Sequence, residues 1–147
     1  ASATPAANTI PVRDANGSLT ASIFNAQHAS ASGLAFGTTT GCALYGAQND
    51  WGSGDTGFQT VMPINGTIKN LYCKAGTNSL NGTVVVTLRK NGVSTALTVT
   101  ITAGSTAVFS DTTNLVSFVA GDLLGWQVVI GGTSGGLSSF NISASCN

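Results

Sequence analysis

This sequence predicts an all-β protein: an antiparallel jelly-roll sandwich behind a short β-hairpin stalk segment. Three observations predict it. Apolar and polar residues alternate at period two in several short runs, the mark of strands with one buried face. Turn signals separate those runs, among them Asn16-Gly17, Asn65-Gly66, Asn81-Gly82 and Asn91-Gly92. Asn-Gly supplies the positive φ angles of tight hairpin turns, so each pair is expected to mark a reversal. Thr, Val and 19 glycines favour strands, turns and bulges, and no stretch keeps a helical period.

The first 26 residues form two short alternating runs around Asp14-Ala15-Asn16-Gly17. Such a ribbon has too little apolar surface to offset the ordering of its backbone, so it implies a partner chain. Residues 27–40 open on small side chains and read as a linker. The expected division is a stalk and linker over 1–32 and a head over 33–147, a comfortable size for one jelly roll.

In the head, strands are expected at 42–46, 58–62, 67–75, 83–89, 97–102, 106–110, 115–119, 123–130 and 137–146. Over 83–89, Val84, Val86 and Leu88 share one face; over 97–102, Leu97, Val99 and Ile101 do. The turn at Asn91-Gly92 joins these two runs into a hairpin. In the last strand Phe140, Ile142, Ala144 and Cys146 face one way. The run 123–130 is different. Leu124, Trp126, Val128 and Ile130 occupy one face, yet Leu123 and Val129 make the other apolar too. Either this strand meets another subunit through Leu123, Trp126 and Val129, or it is a central strand with a few exposed apolar residues.

Composition narrows the function. The chain is 42% hydrophobic, only 7% charged, and formally neutral. So few charges are unusual for a lone soluble monomer, and burial of surface in an oligomer would explain them. No cluster of Lys and Arg exists to displace counterions from nucleic acid. No run approaches the roughly 18 apolar residues of a membrane span, and no basic region followed by an apolar run opens the sequence as a signal peptide would.

Catalysis is not expected. General acid–base chemistry needs carboxyls with separated pKa values or a positioned His. Here Glu is absent and the lone His28 lies in the linker. No nucleophile-elbow or His-rich metal motif is present, so no cofactor and no metal are predicted. Cys42, Cys73 and Cys146 lack metal-ligand spacing. Cys73 reads as a small core residue. Cys42 and Cys146 would meet in a sandwich whose first and last strands are neighbours, and Cα geometry decides whether they pair.

One loop stands out, Asp50-Trp51-Gly52-Ser53-Gly54-Asp55. Its two carboxylates could ligate calcium, although the spacing matches no EF-hand and carboxylates commonly start turns. Trp51 and Tyr45 offer flat apolar faces for a sugar ring, with Asn49, Asp50 and Asp55 as polar neighbours. Trp51 could equally cap the sandwich. Asn16, Asn65, Asn81 and Asn141 match the glycosylation sequon, three of them as plain Asn-Gly turns.

The opening segment resembles the stalk repeats of bacteriophage tail fibres through Asn8-Thr9-Ile10, Arg13-Asp14, Asn16-Gly17 and Leu19-Thr20-Ala21. Pro11 departs from that pattern, since Pro cannot donate to a ladder. The head resembles the jelly-roll tips of such fibres, of the C1q and tumour-necrosis-factor architecture. The matching residues are Met62-Pro63, Gly66 to Leu71, Val86 to Gly92, Asp111 to Asn114 and Ala120-Gly121-Asp122. The resemblance implies a parallel homotrimer in the virion. Its tip would bind a bacterial surface receptor, a glycan or a protein, and its N-terminal segment would join other virion proteins. The alternatives are a capsid decoration or head-fibre protein on the same trimeric jelly roll, and a bacterial surface protein of C1q-like fold. That fold carries many roles, so it does not choose among them.

Overall fold

The computed structural model describes residues 34–35, 37–44, 52–53 and 59–146. The stalk expected over 1–32 lies outside them. Among the described residues ten strands follow in order: β1 (Leu34–Ala35), β2 (Thr38–Ala43), β3 (Gly52–Ser53), β4 (Thr60–Val61), β5 (Gly66–Asn78), β6 (Val84–Lys90), β7 (Val93–Ile101), β8 (Phe109–Phe118), β9 (Leu123–Ile130) and β10 (Gly136–Cys146).

They form two antiparallel sheets. One runs β1-β10-β5-β8; the other runs β3-β2-β9-β6-β7, with β4 also pairing β9. The chain changes sheet between β1 and β2, β4 and β5, β5 and β6, β7 and β8, β8 and β9, and β9 and β10. This repeated crossing over two four-stranded cores, β1-β10-β5-β8 and β2-β9-β6-β7, is jelly-roll connectivity.

The alternation read from the sequence becomes the core. Val84, Val86 and Leu88 of β6, Leu97, Val99 and Ile101 of β7, and Leu124, Trp126, Val128 and Ile130 of β9 are all buried. Phe140 and Ile142 of β10 meet them from the other sheet, with Ile68, Leu71, Cys73 and Ala75 of β5. Trp126 is 2% exposed and belongs to this core. That corrects its assignment to a subunit contact: the pleat turns it away from the face that carries Leu123 and Val129. Val129 is 38% exposed and Leu123 half-buried.

Three further expectations change. Asn91-Gly92 is a tight reversal, with φ of 52° and 79° and the Lys90↔Val93 pair closing it. The other described Asn-Gly pairs are not hairpins, because Asn65-Gly66 and Asn81-Gly82 connect strands of opposite sheets. Gly82 is there for close approach instead. A Cβ on it would collide with the backbone of Gly131 and Gly132.

The strands expected at 106–110 and 115–119 are one strand, β8. The turn chemistry of Asp111 is real, but it acts inside the strand. Asp111 Oδ1 accepts from the backbone amides of Thr113 (3.1 Å) and Asn114 (3.0 Å). The register then steps from Leu71↔Asp111 to Lys69↔Leu115, a bulge that also takes up Asn70 at φ 54°.

The cysteines are free and buried. Cys42 sits in β2 and Cys146 in β10, on different sheets, so the expected meeting of first and last strands belongs to β1 and β10 instead. Burial pushes the Cys42 thiol up, with the nearby Cys73 adding to it, and pushes Cys73 up to about 12.

Candidate functional site

The ligand-contact residues expected in the 45–55 loop, Tyr45, Asn49, Asp50, Trp51 and Asp55, lie outside the described residues. What is described beside them is β3, whose Gly52 pairs with Gly41 of β2.

The four-stranded sheet offers a second candidate on its outer face. In β5 the side chains of Ile68, Leu71, Cys73 and Ala75 point inward. The alternation therefore turns Tyr72 and Lys74 outward, and the bulge at Asn70 restores Lys69 to the same outer face. Tyr72 is 43% exposed. Ser143 of β10 stands opposite it on one side and Ser110 of β8 on the other. Lys74 stands opposite Asn141, and Lys69 lies between Ser145 and the exposed Leu115. Directly opposed residues place their Cβ atoms about 5 Å apart, so these side chains form one continuous patch.

The sheet beneath that patch is pinned. Asn70 Nδ2 donates to Ser145 Oγ at 3.1 Å, and Ser145 Oγ donates to the Lys69 carbonyl at 3.1 Å. These bonds fix the bulge that aims Lys69. Sequence reasoning placed Tyr72 in a strand without singling it out. The signal was available: two lysines and an aromatic ring recur at outward positions of a run whose inward positions are apolar.

A second polar cluster sits where the β6–β7 and β8–β9 turns meet. Lys90 Nζ lies 3.0 Å from Asp122 Oδ2 and donates to the Ser117 carbonyl at 2.9 Å. Asn91 Nδ2 donates to Asp122 Oδ1 at 2.8 Å, and Val119 N donates to Asp122 Oδ2 at 2.8 Å. Bonds from the Val119 amide, the Asn91 side chain and Lys90 hold the Asp122 carboxyl at about 2. Asn91 Oδ1 meanwhile accepts from Leu123 N. Each polar group here is engaged with another part of the fold, so the cluster clamps two turns together. Exposed Val61 of β4, with Ile64 and Val119 on the connections after β4 and β8, lies near it.

No group of three or more His, Cys, Asp or Glu side chains among the described residues is placed to hold a metal ion. No protein-family model matches the chain, and no curated protein sequence matches it.

Proposed function

We propose that this protein is a noncatalytic virion fibre tip, trimeric through copies of itself, that recognises a bacterial surface glycan during host adsorption. The observation that carries the reading is Tyr72: an open aromatic ring on a rigid sheet face, ringed by Ser110, Ser143 and Asn141. A Tyr ring offers an apolar body and a polar tip, and the flanking hydroxyl and amide groups suit the hydroxyls of a sugar. The stalk resemblance supports a fibre. Leu123 and Val129 on the outer face of the larger sheet support contact between copies, as do Val61, Ile64 and Val119 at one end.

Adsorption competition tests the reading. Purified protein added to host cells should block later adsorption of the virus that carries it, and light scattering in native buffer should give three times the chain mass. A monomeric mass sinks the trimer, and unimpeded adsorption sinks receptor binding. Labelling of whole particles then separates a tail location from capsid decoration.

A further inference from the structure

We infer that the outer face of β5, β8 and β10 is a binding site for an anionic saccharide, one bearing carboxylate, phosphate or sulfate groups. The inference rests on the glycan reading and sharpens it to a charge class and a surface.

Most charged side chains among the described residues are already engaged within the fold. Lys90 is held by Asp122 and the Ser117 carbonyl. Arg89 donates to Ser94 Oγ and to the Gly92 carbonyl within its own hairpin. Of the acids among the described residues, Asp111 is buried against the backbone of its own bulge, and Asp122 is clamped between the two turns. Lys69 and Lys74 stand apart from all of these. Both project from β5 on the face that carries Tyr72, and no carboxylate among the described residues pairs with either.

A formally neutral chain with 7% charged residues thus places two cations on one sheet face, one on each side of an exposed ring. Successive outward positions on a strand are about 6.6 Å apart, a spacing over which linked sugar rings can lie along β5. The Lys ammonium groups supply charge-assisted hydrogen bonds to the acidic substituents. Tyr72 supplies the apolar platform between them. Ser143 and Asn141 on one side and Ser110 on the other supply neutral hydrogen bonds to ring hydroxyls. Leu115, opposite Lys69, extends the apolar floor. A neutral glycan would use Tyr72 and the hydroxyls and leave both lysines unanswered. An acidic one engages every element of the patch.

The test uses the full chain on an array holding uronate-bearing, phosphate-bearing and sulfate-bearing saccharides beside neutral counterparts of the same backbones, with host-cell adsorption as a separate arm. Acidic probes should bind, and the arm that binds identifies which substituent is read. The double variant Lys69→Gln/Lys74→Gln should lose about tenfold or more in affinity and flatten the salt dependence. Tyr72→Ala should lose binding while its melting temperature stays near that of the parent. Equal binding of neutral and acidic probes, with no effect of the lysine changes, would overturn the charge class and leave the glycan reading standing. Binding to acidic probes that survives both Tyr72→Ala and the lysine changes would overturn the surface. Adsorption to cells without binding to any saccharide would overturn this inference together with the glycan reading, while a receptor role survived.

Discussion

Asp111 Oδ2, on the edge strand of one sheet, accepts the backbone amide of Thr98 on the edge strand of the other at 3.2 Å. The same carboxylate accepts from Thr113 N, Asn114 N and Asn114 Nδ2. One side chain therefore closes a side of the sandwich and shapes the bulge that re-registers β8 on β5. Desolvation alone would raise its pKa. The bonds from the Asn114 backbone and side chain, then from the Thr98 and Thr113 amides, outweigh that and hold it below the usual carboxylate value.

Asp111→Ala should therefore destabilise the head by about 2–4 kcal/mol, because it removes the acceptor of several amides at a buried position. Asp111→Asn should cost less, since one amide oxygen still accepts. Chemical denaturation of the three proteins checks the order. Equal stability of parent and Asp111→Ala would remove Asp111 from the closure of the sandwich.

Acid should loosen the head in a specific pH window. The folded-state pKa of Asp122 is depressed to about 2 from 3.8. Its contribution is fully present above the unfolded value and is lost as pH falls through the folded one. Stability should thus fall between about pH 4 and pH 2, and Asp122→Asn should show a smaller fall across that window. Melting temperatures at pH 2, 3, 4 and 6 give the comparison, and identical slopes for parent and variant would contradict the assignment.

How much of this was legible in the sequence follows from the range of the forces involved. The β6–β7 hairpin was readable because its alternation and its Asn91-Gly92 turn are both local. The inward faces of β9 and β10 were readable for the same reason. The Asp111 bulge was not: the local turn signal was correct, but only Leu71 and Lys69 across the ladder decide that β8 continues through it. Asn81-Gly82 misled in the same way, since its partners, Thr133 N and Ser134 N on Asn81 Oδ1, lie 52 and 53 residues on. The Tyr72 patch was half-legible. The outward register of Lys74 could be read along β5, whereas that of Lys69 depends on the bulge, and Ser110, Ser143 and Leu115 join only through strand pairing.

Gly82→Ala gives the clearest test of that long-range packing. The new methyl would meet the backbone of Gly131 and Gly132, which no side-chain rotation relieves. Overpacking of this kind costs about 1–3 kcal/mol, and more where the backbone must move. Gly92→Ala has open space around it but a φ of 79°, so its cost comes from backbone strain alone, about 1–2 kcal/mol. A Gly82 variant as stable as the parent would show that the 82 and 131–132 segments do not touch.

Trp126 separates packing from hydrogen bonding. Its ring fills the core between Cys42 of β2 and Leu88 of β6, its ladder neighbours. Its indole Nε1–H is buried with no acceptor among the described residues. Trp126→Ala should cost roughly 3–5 kcal/mol through the cavity it leaves. Trp126→Phe keeps most of the apolar contact and removes an unanswered donor, whose burial itself costs about 1–3 kcal/mol. The Phe variant should therefore lie within about 1–2 kcal/mol of the parent, well above Ala. Phe as damaging as Ala would mean that the indole nitrogen has a partner worth keeping. A small effect of both changes would mean that the ring is not in the core.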